Sequence, residues 1–467
     1  MVVTTVFDDL RDALAAQAFD GAAVGIDLGT TKSCIAVARY EDGELVCECQ
    51  TIDEPGQPEG QIAVPSVVAV KERQAIVGHA AKRLARTPRF FQHKGSFSET
   101  KNEIGLRHTY ARAPEGFQSA TEIAGHIIEY LFHASRLDGE PIANPMVITV
   151  PASFHGAQRT ATRDAVSLVF DEYQEVRLLD EPYAAVLDLL HRDPGKAGEH
   201  LSAGATWLVF DFGGGTCDVA LFTLQASETA ALAPRLLATS RYHRIGGGDI
   251  DRAIVHGHLI PMLLERYRVD RTAVSFADKR RRFEPVLLPV AEQLKRALCQ
   301  RLRAQRENGD DASAVEVVSA GDHCVEWNQR ELFLSDARLD QATFEKLLRP
   351  FLEPNPDKPA SDEFVERDSV FRPIHQVLAR AGLGPEAIHL VLLAGSSSRI
   401  PQVQDALRDY FSEADVVELG DDLDVQGAIA RGAALQALAM AATGKPLIAA
   451  ASSAELGLRT RQGLVPL

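Results

Sequence analysis

The stretch Thr206–Leu221, TWLVFDFGGGTCDVAL, restricts the folds open to this chain more than any other. Trp207 to Phe210 form an apolar run that ends at Asp211; Gly213, Gly214 and Gly215 follow, then Thr216, Cys217, Asp218 and a second apolar run. This order predicts a strand, a tight glycine turn and a second strand. The glycines remove Cβ atoms where a backbone must approach a partner closely. They also permit positive φ, so that successive N–H groups can converge on an anion. A plain hairpin would explain the glycines but not Asp211, Asp218 and Thr216, because carboxylates beside a phosphate call for a cation or water between them. The same grammar recurs in Ala22–Val37, AAVGIDLGTTKSCIAV, where a strand reaches Asp27, then Gly29, Thr30 and Thr31, then another strand. Two such units predict two similar lobes presenting hairpins to one ligand, and a nucleotide polyphosphate suits both.

A chain of 467 residues exceeds what one core usually serves, so two or more domains are expected. The formal charge of −16 argues against a nucleic-acid binder, and the short basic run Lys279–Arg282 lacks interleaved aromatics and reads as a solvated face. Six cysteines in this length do not make a disulfide scaffold. Cys47 and Cys49 share a strand face with no second pair or histidine at zinc-site spacing, while Cys34, Cys217 and Cys299 read as small core or lining residues. Neither a signal peptide nor an 18-residue apolar span is seen, so the expectation is a cytoplasmic protein without membrane insertion.

Along the chain, Phe7, Leu10 and Leu14 recur at helical spacing and predict a helical arm over 1–20, expected to dock on its own lobe, with a partner contact or a disordered arm as the alternatives. Glu181 follows a strand around 176–179 and precedes Pro182 at a helix start, which points its carboxylate into the space at the strand ends. Residues 191–205 read as the clearest loop between lobes. On the helix Ala291–Cys299, AEQLKRALC, the residues Glu292, Lys295, Arg296 and Cys299 share one face, which by itself reads as a surface ion-pair network. The turn AGSSSRIP at 394–401, with Arg399, is suited to face a ligand.

Taken in order, nine segments resemble the ATPase domain of the Hsp70 chaperones, within the actin, sugar-kinase and Hsp70 superfamily. They are GIDLGTTKS at 25–33, PSVVAV at 65–70, VITVPASFHGAQRTATRDA at 147–165, LLDEPYAAV at 178–186, FDFGGGTCDV at 210–219, IGGGDID at 245–251, AEQLKRALC at 291–299, LLAGSSSRIP at 392–401 and GAIARGAALQ at 427–436. The resemblance implies an α/β, actin-like ATPase fold. Its two lobes each carry a mixed five-stranded sheet flanked by helices around a ribonuclease H-like core, with the nucleotide cleft between them. Lobe I would span 21–200, with an outer subdomain at about 60–140, and be completed by the helix 424–440. Lobe II would span 205–420, with an outer subdomain at about 252–365.

The same resemblance implies ATP or ADP with Mg²⁺ as the bound species. Asp27 and Asp211 would hold the hydrated ion, with Gly29, Thr30, Thr31, Gly213, Gly214, Gly215 and Thr216 as the phosphate hairpins. Glu181 and Asp218 would orient the attacking water and accept its proton, and Lys94 looks like the lysine near the γ-phosphate, although the spacing before it is short and Lys82 is a substitute. Gly246 and Gly247 belong to the nucleotide site. Glu292, Lys295, Arg296 and Cys299 would reach the ribose and base, and Gly395, Ser396, Ser397 and Arg399 would close the other side. Three positions depart from the family pattern: Ser396 replaces a second glycine, Cys299 a serine, and Gln426 an acid near the phosphates. They put affinity and base selectivity in question.

The expected function is a slow, Mg²⁺-dependent ATPase that uses lobe closure as a switch in an Hsp70-like chaperone. Protein clients or a dedicated partner, a co-chaperone or nucleotide-exchange partner and a monomeric state are implied. Two alternatives are a nucleotide-controlled interaction protein without a peptide clamp and a small-molecule kinase of the same fold. Residues 441–455 lack the family's acidic, leucine-rich linker, and 456–467 resemble the first strand of a β-domain, so the expectation is a fragment of a longer protein, with a divergent short relative as the alternative.

Overall fold

The computed structural model describes residues 2–57, 60–85, 95–137, 142–170, 175–201, 204–226, 231–241, 243–309, 315–354, 360–361, 366–449, 457–460 and 463–466. Its framework is two mixed sheets with one topology used twice. In the first, β1 (Ala23–Asp27) pairs antiparallel with β2 (Lys32–Glu41), which pairs antiparallel with β3 (Glu44–Cys49) and the short β4 (Ala63–Pro65). An outer three-stranded sheet then forms from β5 (Val67–Lys71), β6 (Gln74–Val77) and β7 (Ser96–Ser98). The chain returns on the other side of β1 as the parallel strands β8 (Met146–Val150) and β9 (Val176–Asp180).

The second sheet repeats this order. β10 (Thr206–Phe212) pairs antiparallel with β11 (Cys217–Ala226), and β11 with β12 (Leu232–Thr239). The outer hairpin β13 (Glu316–Trp327) and β14 (Arg330–Asp340) and the short pair β15 (Ala360–Ser361) and β16 (Glu366–Arg367) intervene. β17 (Leu390–Ala394) and β18 (Asp415–Glu418) then continue the sheet parallel to β10. Each central strand is apolar along its length because helices cover both faces, as parallel strands require.

Two helices lie between the sheets. Helix Glu181–Arg192 contacts β17, and helix Asp422–Thr443 contacts β1, β2 and β8. The second helix starts cleanly because the Asp421 side chain accepts from Leu423 N at 2.8 Å and Asp424 N at 2.9 Å, and it stops at Gly444 with φ 69°. Small residues decide how closely it packs. A Cβ on Gly25 would fall 2.2 Å from Ala434 N, and one on Gly432 would fall 1.9 Å from Ala184 O. Arg431 closes the crossing with two 2.7 Å hydrogen bonds to the Asp188 carboxylate, both groups buried. This pair of helices fixes β1 and β10, and therefore the turns at their ends.

The amino-terminal helix Val2–Gln17 buries Phe7, Leu10 and Leu14 in the same core, and Gln17 donates to Ala442 O at 2.7 Å. One local expectation differs. Within 191–205 a short helix, Pro194–Glu199, forms because the Asp193 side chain accepts from Lys196 N at 3.2 Å. After the inter-sheet helix the chain runs beside β12, with Leu232 N donating to Leu447 O and Ala449 N to Leu232 O, both at 2.8 Å. The strands β19 (Gly457–Thr460) and β20 (Gly463–Pro466) pair antiparallel beyond it.

Candidate active site

The turns after β1 and β10 meet at the centre of the molecule. Asp27 pairs with Cys34 and Asp211 with Asp218, so both turns have the same length and their residues correspond one to one. Gly29 matches Gly213, Thr30 matches Gly214, Thr31 matches Gly215, Lys32 matches Thr216, and Cys34 matches Asp218. The turns touch. A Cβ on Gly214 would fall 2.5 Å from Thr31 Oγ1, so only glycine fits there. Each turn also has its own support. Ser66 Oγ donates to Gly29 O at 2.7 Å and lies 2.9 Å from Ser33 Oγ, holding the first. Behind the second, Gly247 N donates to Gly213 O at 3.0 Å and Gly248 N to Gly214 O at 2.8 Å.

Four carboxylates converge here at the strand ends: Asp27, Glu181, Asp211 and Asp218. One ammonium stands among them. Lys101 Nζ lies 2.5 Å from Glu181 Oε1, and both side chains are nearly buried. Burial, followed by the nearby Glu181 charge, pushes Asp27 and Asp218 each up to about 7. The same causes, with Asp218 and Asp27 added, raise Asp211 well above the usual carboxylate range. Burial alone would lower Lys101, but Glu181 and Asp27 outweigh it and hold it above the ordinary lysine value. Asp218 Oδ1 is buried without a hydrogen-bond partner among the described residues. Such a cluster, more acidic than its lone lysine can neutralise, favours a cation or a proton.

Lys101 escaped the sequence reading. It sits on the 3₁₀ turn Thr100–Glu103 after β7, pinned by buried Ile104 and by Gly105, whose φ is 75° and whose Cβ would fall 2.7 Å from the Gln158 backbone. A lysine followed by a core isoleucine and a turn glycine, KNEIG, was the available signal. Lys94 lies outside the described residues. Ser66 was also missed, since its hydroxyl acts on a glycine 37 positions away.

Gly29, Thr30, Thr31, Gly213, Gly214, Gly215 and Thr216 line the same cleft as the four acids, as do Gly395 and Ser396. Gly395 has φ 76°, and a Cβ there would fall 2.4 Å from Asp211 Oδ1. Gly246 and Gly247 back the glycine turn instead. Lys295 holds them through a 2.9 Å bond to Gly247 O and a 2.7 Å ion pair with Asp251, and Ser397 packs on Gly247. Glu292 and Arg296 line a separate cavity of about 430 Å³ with Lys82 and His79. There Lys82 Nζ lies 3.4 Å from Glu292 Oε2. Burial pulls Glu292 upward, but Lys82 and Lys295 outweigh it and hold the carboxyl at about 2. Cys299 is buried in the second lobe's core, and Arg399 donates to Gly420 O, so the structure brings neither into the cleft with the turns.

Among the described residues, no helix is long and apolar enough to cross a membrane. The sequence profile of the family described as "Hsp70 protein" matches residues 23–115, 97–351 and 361–465. The chain is 30% identical to "Chaperone protein DnaK" of Thermus thermophilus, over 95% of this chain and 65% of that relative's length. The doubled sheet topology, the facing turns and this match lead to one conclusion: the chain belongs to the Hsp70 family, with the bilobed fold of its ATPase domain.

Proposed function

We propose that this chain binds ATP and ADP with Mg²⁺ between its lobes and hydrolyses ATP slowly. The observation that carries this reading is the meeting of two glycine-bearing turns over four clustered carboxylates and Lys101. Backbone N–H groups of 29–31 and 213–215 cradle the phosphates, and the absent side chain at Gly214 lets the two turns meet. The clustered acids fit a hydrated divalent cation, which Asp27 and Asp211 would hold through its water. Bound there, Mg²⁺ would supply charge neutralisation on the phosphate oxygens.

Lys101 takes the γ-phosphate charge and fixes Glu181. Glu181 and Asp218 orient the attacking water, and Asp218, with its unpartnered oxygen, accepts the proton. Glu292 and Arg296 serve the ribose and base side, while Lys295 acts through the Gly247 turn. The lobes, 21–200 with helix 424–440 and 205–420, close around the nucleotide, and a protein client or partner reads that movement.

Calorimetric titration with ATP, ADP and adenosine, with and without Mg²⁺, tests the reading. Expected is Mg²⁺-dependent binding of ATP and ADP that Asp211→Asn weakens by on the order of 10-fold or more. Absence of nucleotide binding by the wild type, or binding indifferent to both Mg²⁺ and Asp211, contradicts it.

A further inference from the structure

Lys32 ends the turn of the first hairpin, at the position that Thr216 holds in the second. Its side chain lines the cleft beside Thr31 and Gly215. Its one hydrogen-bond partner among the described residues is Gln426 Oε1, 3.4 Å from Nζ, and it makes no ion pair with a described carboxylate. The amide carbonyl steadies the ammonium without cancelling its charge. Other cations act on it, Arg296, Lys82 and Lys295, and the acid that offsets them, Glu292, is already engaged by Lys82. Burial and then Arg296 push the Lys32 ammonium down to about 8. Charge in the cleft is therefore divided: the four acids cluster with Lys101, while Lys32 is held by a neutral amide. A partly buried cation without a counter-charge is costly, and an anionic ligand offsets that cost.

We propose that Lys32 is a specificity-determining residue that contacts the phosphate chain of a nucleoside di- or triphosphate, on the side away from the cation-binding acids. This rests on the nucleotide reading above. In the second hairpin Thr216 presents a hydroxyl at the matching position, so the two hairpins grip the phosphates with unlike groups. Gln426, a neutral amide, is what leaves the Lys32 charge available to the ligand.

The test is calorimetry of MgADP and of adenosine with wild type, Lys32→Met, Lys32→Arg and Gln426→Glu. Lys32→Met should weaken MgADP on the order of 10- to 100-fold, the range of a lost charge-assisted hydrogen bond, and leave adenosine unchanged. Lys32→Arg should stay near wild type. Gln426→Glu should weaken MgADP by pairing with Lys32, and lose that effect in the Lys32→Met background. Wild-type affinity for MgADP should also fall as pH rises through about 8, because the ammonium is lost there, and the arginine variant should not follow. Equal MgADP binding by wild type and Lys32→Met overturns the proposal, as does an equal loss for adenosine, which would mark a structural role. A wild type that binds no nucleotide overturns the nucleotide reading and this proposal together.

Discussion

The two hairpins share a length, a strand pairing and a leading aspartate, yet they differ in almost every side chain. The first carries Thr30, Thr31 and Lys32 and ends opposite Asp27 at a buried thiol, Cys34. The second is bare at Gly213, Gly214 and Gly215 and ends opposite Asp211 at a half-buried acid, Asp218. The difference is complementary. Thr31 occupies the space that a side chain at 214 would need, so the substituted turn requires the bare one. One backbone plan thus lines the cleft twice, while the charges divide: a cation on the first hairpin and a second acid on the second.

The comparison breaks most sharply at its far ends. Asp218→Asn should slow single-turnover phosphate release on the order of 100-fold or more, whereas Cys34→Ser, at the matching position, should leave it within a few-fold. Equal losses would show that both hairpins serve the same chemistry. Next come the glycines. Gly214→Ala should weaken MgADP on the order of 10-fold or more by forcing the turns apart, while Gly213→Ala, whose Cβ has nothing nearer than 3.7 Å, should be tolerated. Thr31→Ala in the Gly214→Ala background removes the clashing hydroxyl and should recover part of the loss, which a double-mutant cycle would read.

Stability against pH sharpens the same contrast. The Asp218 carboxyl is raised to about 7 when folded, above its unfolded value near 3.9. Its protonated form therefore favours folding at low pH, and that contribution is lost as pH rises through about 7. Asp218→Asn should raise the ligand-free melting temperature at pH 8 and change it little near pH 4. Cys34→Ser should show no such dependence over that range. The smallest effect is expected at Ser66→Ala, which removes one hydrogen bond to Gly29 O and one to Ser33, for about 1 kcal/mol of stability and a modest rise in KM for ATP.

Much of this architecture was legible locally. A strand, an aspartate and a glycine turn lie within a few residues, so Asp27 and Asp211 could be identified as a matched pair, and the match of the two units pointed to two lobes. Glu181 was equally readable from the proline after it. Features set by distant contacts were not. Lys101 reaches the cleft only because Ile104 and Gly105 seat its turn on the helix Gly156–Ser167, and Ser66 matters only through the carbonyl of Gly29. The face of Glu292, Lys295, Arg296 and Cys299 was legible as a helix face, but its division was not. Lys295 is drawn to Asp251 and Gly247, Cys299 turns into the core, and only Glu292 and Arg296 line the outer cavity. A helical wheel shows which residues share a side and cannot show what packs against it.

Single-turnover release of phosphate from ATP, measured for wild type and Lys101→Ala with and without Mg²⁺, tests the central claim most directly. Expected is slow release by the wild type, approaching one phosphate per chain, dependent on Mg²⁺ and reduced on the order of 100-fold or more in Lys101→Ala. No release by the wild type, or release that Lys101→Ala leaves unchanged, would contradict it.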